Sequence, residues 1–510
     1  MNDKKLIDES RTVNEKLKVI GVAFFIGILF NYFFIWEDVG VSAMIFNILI
    51  IGLTLWIYPN SQIKKKLSYL FLVPIILLSI SYSIYNNEIL RMINIIVLLF
   101  LMTSYLFTIR YDNIKEIQLS FIQNIFDKII PDALEGIFKL FPFMKEILQT
   151  KKESKLNRTH KNILRGIVIS LPLLLVVIGL LASADKVFES YMEDFGKVFT
   201  TLDIGNFLGH SMIVFFVTLY MFGFLWSFQY ENSERKNHQR KISIKWEPVT
   251  IITIIFMINI VYLLFTMIQF SYLYVGMDHL PEGFSNASYS AYARRGFFEL
   301  IFVTLINLVI VLTSMKFCKR DNVKVNKIAN ISYTLLILFT LNMLFSANYK
   351  MNLYEEAFGY TRLRLFVQAF MLLMGVLLII ATLGVWLRRI PVLKLAMIAA
   401  MGIYIGLNFI NVDKIIAKNN IFRYQVHKAK NIDCKIDMKY LEGLSCDAIE
   451  EIAKLIEVEN PKVQISAIRY VNKHVKNLDK RYDHWYEYNY YKEKVLKNFK
   501  IPNDLLMTKK

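Results

Sequence analysis

Eleven apolar runs dominate the sequence, each about as long as the 17–25 residues a helix needs to cross hydrocarbon about 30 Å thick. They fall at 18–36, 41–58, 67–85, 89–109, 163–183, 204–228, 248–274, 296–316, 328–347, 363–386 and 393–411. Such a chain has few choices, because the bilayer core offers no water to satisfy an open backbone. The fold class is all-α: a polytopic membrane protein of about eleven transmembrane helices with a small C-terminal helical extracytoplasmic domain. Composition agrees, with 55% hydrophobic residues and a mean hydropathy of +0.40. Soluble domains run at about 45–50% apolar. Residues 1–18 are too charged for a cleavable signal peptide, so the first run reads as a signal anchor.

Lys and Arg orient the bundle. The N-terminal tail carries Lys4, Lys5, Arg11, Lys16 and Lys18, and alternate loops repeat the pattern. These are Lys64–Lys66, the basic stretch Arg110–Arg165, the Arg235–Lys245 cluster, the Lys316–Lys327 cluster, and Arg388, Arg389 and Lys394. The intervening loops hold few cations: none at 37–40, only Arg91 at 86–91, and Lys186 and Lys197 among acids at 184–203. Basic loops stay in the cytoplasm, so the N-terminus reads as inside and the C-terminus as outside a bacterial plasma membrane. The same asymmetry accounts for the net charge of +18 without invoking nucleic acid.

Five regions follow: a cytoplasmic tail (1–17), a four-helix membrane region (18–110), a cytoplasmic amphipathic segment (111–162), a seven-helix membrane region (163–411) and a soluble helical domain (412–510). Within 115–149, Ile117, Phe121, Ile125, Ile129, Ile137, Phe141 and Leu148 recur near helical spacing, with lysines interleaved. Helices along the inner leaflet, or a cytoplasmic pair packed on itself, would each give that pattern. In the tail, Ser445 is placed to cap a helix ending before Pro461, and Val463 to Leu478 make a second amphipathic helix. The aromatic run Tyr482, Trp485, Tyr486, Tyr488, Tyr490 and Tyr491 suits a small packed domain, a membrane interface or a carbohydrate platform.

Motifs for nucleotide and zinc chemistry are missing: no Walker A loop, no GxGxxG after a strand, no HExxH, no CxxC. No nucleophile signature appears, and the seven histidines lack companions at metal-ligand spacing. No cofactor and no metal is expected. Cys318, Cys434 and Cys446 allow at most one bridge, between the last two.

Charged groups do gather at span ends. Asp185 closes the fifth run. Arg294, Arg295 and Glu299 open the eighth, just after Tyr289 and Tyr292. Glu355, Arg362 and Arg364 precede or open the tenth, and Asp413 closes the eleventh. The topology places all of them at the outer face. Charges so near hydrocarbon ask for a partner, water or a ligand. Each is explained singly as an interfacial anchor, and Arg295 and Glu299 as an i,i+4 pair. Taken together, they make a candidate outer site for a polar or anionic ligand.

The ordered segments LLASADKVF, YARRGFFEL, FGYTRLRL, NVDKIIAKNNIFRY, YLEGLSCDAI and HWYEYN resemble the bacterial membrane families of unknown function DUF4153 and DUF4173. The resemblance spans about residues 165–495 and implies a polytopic membrane protein with a helical tail, without a known reaction. In that family the position after Arg294 is often acidic, whereas Arg295 stands here. Three classes follow: ligand binding or transport, a membrane enzyme using Asp185 or Glu299 as acid or base, and a sensor or structural partner. The partners expected are membrane lipids and a cell-envelope ligand or protein.

Overall fold

The computed structural model describes residues 13–58, 66–111, 119–150, 181, 185, 186, 188, 204–228, 246–273, 297–318, 322–387, 389–429, 436–481 and 484–499. These form α1 (Val13–Phe34), α2 (Val41–Ile57), α3 (Lys66–Ser81), α4 (Glu88–Arg110), α5 (Leu119–Ile129), α6 (Pro131–Thr150), α7 (Ile204–Ser227), α8 (Pro248–Leu273) and α9 (Phe297–Phe317). There follow α10 (Val323–Phe358), α11 (Arg362–Trp386), α12 (Val392–Phe409), α13 (Val412–Ala429), α14 (Met438–Leu441), α15 (Ile449–Ala453), α16 (Pro461–Arg481) and α17 (Tyr490–Asn498). Among the described residues the only β-type pairing is one isolated bridge, Trp246 to Cys318. Among the described residues, eight helices are long and apolar enough to cross a membrane, and α2 and α3 are shorter apolar helices. The molecule is an all-α, multi-pass integral membrane protein. All of the expected run 163–183 except Leu181 lies outside the described residues.

The chain divides into two compact units. The first comprises Met1–Glu37, Ile45–Gln62 and Ile125–Glu231. In it, α7 packs against α1 and α6 through small residues that let backbones approach. A Cβ on Gly136 would stand 2.5 Å from Gly223 O, and one on Gly27 would stand 2.5 Å from Thr218 Oγ1. Phe143 of α6 then meets Trp226 of α7, with ring centroids 4.4 Å apart. Lys128 donates to Ser227 O at 2.5 Å, placing a cation on the carbonyl end of α7. Thus one face of the amphipathic segment covers α7, while Phe126, Ile130, Leu134 and Phe138 form an exposed apolar stripe.

The second unit comprises Asp38–Met44, Ile63–Asn124 and Asn232–Lys510. One apolar core lies among α8, α9, α10 and α11, around Val311, Leu336, Leu378, Ala381 and Val385. Through that core runs a series of uncharged polar pairs. Tyr262 Oη donates to Asn307 Oδ1 (2.9 Å), Asn307 Nδ2 to Thr340 Oγ1 (2.9 Å), and Gln269 Nε2 to Ser346 Oγ (2.5 Å). At about 1.5 Å per residue, the 36-residue α10 outruns any hydrocarbon layer. It stops at Gly359, whose φ of 83° is open to glycine at little cost.

A separate core joins α13, α15, α16 and α17 through Ile416, Ile421, Ile449, Ile452, Ala467, Tyr470 and Val495. The stretch after Ser445 is not the single capped helix expected. It is broken into a 3₁₀ turn (Cys446–Ala448), α15 and a second turn (Lys454–Glu457), and Ser445 makes no side-chain cap. Its backbone is committed elsewhere: Ser445 N donates to Asp413 Oδ2 at 3.0 Å, and Ser445 O accepts from Tyr470 Oη at 2.5 Å.

Candidate functional site

Asp413, in the first turn of α13, is fully buried, and both its oxygens are occupied. Oδ1 accepts from Arg362 Nε (2.7 Å) and Asn87 Nδ2 (2.9 Å); Oδ2 accepts from Arg362 Nη2 (2.5 Å) and Ser445 N (3.0 Å). The fork of the guanidinium matches the carboxylate, which makes the pair bidentate. Each donor arrives on a different element for a local reason. Asn87 is the N-cap of α4: its Oδ1 accepts from Leu90 N, leaving its Nδ2 for Asp413. Arg362 opens α11 just after the cap Thr361, and its own N donates to Tyr440 Oη at 2.7 Å.

The other side chains of the NVDKIIAKNNIFRY segment extend this lock. Residues 413, 420 and 423 share one helical face. Asn420 Oδ1 accepts from Tyr360 N and its Nδ2 donates to Tyr360 O, both at 2.8 Å. Arg423 Nη1 donates to Glu356 O and Ala357 O at 3.0 Å, satisfying carbonyls at the end of α10. A side chain on Gly359 would meet Asn420 Oδ1.

A second buried carboxylate, Asp447, stands beside the first. Its Oδ2 accepts from Asn86 N (2.6 Å) and its Oδ1 from Asn86 Nδ2 (3.0 Å). Burial pushes its carboxyl up to about 6, against the opposing pull of those hydrogen bonds and of Arg91. Arg91 itself donates to Tyr85 O (3.0 Å) and Tyr82 O (2.8 Å), at the end of the α3–α4 turn. Neighbouring Cys446 is a free, buried thiol whose pKa burial raises. At the edge of this cluster Lys492 and Asp38 form an ion pair, 2.5 Å apart.

The candidate residues therefore divide. Arg362 and Asp413 meet directly. Arg364 turns to Gly359 O and lies over the Tyr354 ring, 4.1 Å from its centroid. Glu355 is 2% exposed; its Oε2 accepts from Gln368 Nε2 at 2.8 Å, and its Oε1 has no hydrogen-bond partner. Glu299 is exposed in the first turn of α9, a favourable place for an acid, and couples electrostatically to buried Lys350. Asp185 belongs to the first unit, where its exposed carboxylate accepts from Phe188 N at 3.4 Å. Arg294 and Arg295 lie outside the described residues. Asn86, Asn87, Asn489 and Asp447 were not singled out from the sequence. Among the described residues, no group of three or more His, Cys, Asp or Glu is arranged to hold a metal ion.

Residues 72–455 match a family model described as "Domain of unknown function (DUF4153)". No curated protein and no solved structure matches the chain.

Proposed function

This chain belongs to the DUF4153 family, and from that premise we propose that it is a platform of the bacterial plasma membrane. In this reading, residues 412–510 form an extracytoplasmic helical domain clamped to the outer ends of the spans, and they engage a cell-envelope ligand or protein partner. The alternation of Lys and Arg in the loops supports an inside N-terminus and an outside C-terminus. The observation that carries the platform is Asp413, buried and saturated by donors from α4, α11 and the Ser445 turn. A carboxylate so fully paired has no acceptor left for a ligand, and its geometry is that of a joint.

A second reading, a polar or anionic ligand bound or transported through an outward-facing cavity, draws on Glu355. A buried carboxylate oxygen without a partner is costly, and a donor on a visiting molecule would relieve it.

Native Cys446 is a reporter for the clamp, in full-length protein with Cys318 and Cys434 changed to Ser. Burial and a raised pKa keep it nearly inert. In sealed right-side-out vesicles, Arg362→Ala should speed its labelling by an impermeant maleimide at least about tenfold, since labelling tracks the opened population. Glu355→Gln should leave it slow. Labelling unchanged by Arg362→Ala removes the clamp; labelling only in inside-out vesicles reverses the topology.

A further inference from the structure

The segment from Trp485 to Tyr490 sorts its side chains into two sets. Tyr486, Glu487 and Asn489 are buried, whereas Trp485 (69%), Tyr488 (42%) and Tyr490 (50%) are exposed. The buried set ties the segment to the ends of apolar helices. Glu487 Oε1 accepts from Asp38 N (2.9 Å), and Asn489 Nδ2 donates to Tyr82 O (2.9 Å) while its Oδ1 accepts from Asn86 Nδ2 (2.8 Å). The backbone does the same: Val41 N donates to Tyr488 O (3.1 Å), and Tyr490 N donates to Ser83 O (2.8 Å). Gly40 admits this approach because a Cβ there would lie 2.3 Å from Glu487 O.

Val41 begins α2 and Ser83 follows the end of α3, so the segment is held at the level where two apolar helices stop. In a membrane protein that level is the boundary between hydrocarbon and headgroups. All three exposed side chains are Trp or Tyr, the types whose apolar rings and polar tips suit that boundary. Two charges among the segment's own anchors, Lys492 and Asp38, are paired with each other. We infer that Trp485, Tyr488 and Tyr490 form an interfacial anchor, seated in the phospholipid headgroup layer beside α2 and α3. The anchor fixes the tail's depth as well as its position, and it holds whichever side of the membrane the tail occupies.

Nitroxide labels report that depth. Single cysteines replace Trp485, Tyr488 or Tyr490, or Lys462 on α16 as a control, in full-length protein with Cys318 and Cys434 changed to Ser and Cys446 to Ala. Each variant is reconstituted into phosphatidylcholine–phosphatidylglycerol vesicles. The ratio of oxygen to nickel-chelate accessibility should be several-fold higher at the three rim positions than at Lys462. A rim ratio equal to the control means the aromatics face water or a glycan, and it overturns the anchor. Low accessibility to both reagents means a second chain covers them, and overturns it equally. Should the cysteine variants fail to fold, Trp485→Phe gives the same answer. It should reduce quenching of the intrinsic fluorescence by lipids brominated near the headgroup, and unchanged quenching refutes the anchor.

Discussion

Two polar systems of the second unit solve the same problem in opposite ways. Between α8, α9 and α10, the buried and half-buried polar groups are amides and hydroxyls: Tyr262, Asn307, Thr340, Gln269 and Ser346. At the meeting of α4, α11 and α13 they are ions: Arg362, Asp413, Arg91 and Asp447. A neutral pair inside an apolar bundle adds a modest amount, because the separated helices find other partners. An ion pair taken out of water brings a desolvation cost, and only complete hydrogen bonding offsets it. The ladder therefore tolerates error, and the ionic knot does not. Completeness at Asp413 is thus a condition of its burial rather than a decoration.

The sharpest test of that contrast is removal of one ion. Asp413→Ala leaves the Arg362 guanidinium, 14% exposed, without its counter-charge. It also strips acceptors from Asn87 Nδ2 and Ser445 N. Loss of one partner of a buried pair costs about 3–5 kcal/mol. Thermal unfolding in detergent should show that loss, and Arg362→Met with Asp413→Leu should restore most of it. A double variant as unstable as the single one would mean that shape, and not charge, governs the site.

Next in size is a pH effect. Asp447 in the folded protein sits near pH 6, above the usual value of about 3.9 for an exposed aspartate. The native state thus holds the proton more tightly than the unfolded chain. The stability from this group is fully present below about pH 4 and is lost as pH rises through 6, by about 2–3 kcal/mol. Arg91 and Asp413 act electrostatically on Asp447, and Lys492 acts on the neighbouring Cys446. His474 works in the other direction, since burial lowers it to about 4 and its share is lost on acidification from about 6.5. The readout is therefore the difference between wild type and Asp447→Asn. Wild type should gain on the variant between pH 7 and pH 4.5; a difference that stays flat would show that Asp447 is ionised throughout.

Much of this architecture is written in hydropathy, because runs as long as 363–386 admit a helix and little else; α11 occupies Arg362–Trp386. Where hydropathy falls, the reading shortens. The expected run 328–347 became α10, which continues to Phe358 through Lys350 and Glu355, residues that bury themselves against neighbours. The site shows the same divide. Arg362 and Asp413 stand out as charges at span ends. Their partners do not, since Asn86, Asn87 and Asn489 are uncharged loop amides, and Ser445 contributes a backbone N–H that no side chain announces. Arg91 read as one stray cation in a poor loop, yet it holds the carbonyls of Tyr82 and Tyr85. A charge search finds ions; it is blind to the amides that make burial of those ions possible.

The smallest effect belongs to the ladder. Asn307 is buried on α9, accepting from Tyr262 on α8 and donating to Thr340 on α10, so one amide links three helices. Thr340 Oγ1 also donates to Leu336 O at 2.6 Å within its own helix, and keeps that bond without Asn307. Replacement by leucine is close in size and apolar, so the cost is that of two hydrogen bonds and not of a cavity. Interhelical bonds of this kind average about 0.6 kcal/mol, which puts Asn307→Leu near 1 kcal/mol. A double-mutant cycle with Thr340→Val isolates the α9–α10 share, since each single change removes the same bond. No group in the ladder titrates near neutrality, so the penalty should be equal at pH 5 and pH 8, unlike that of Asp447→Asn. A loss approaching that of Asp413→Ala would place the ladder among the indispensable joints and erase the distinction between neutral and ionic burial in this fold.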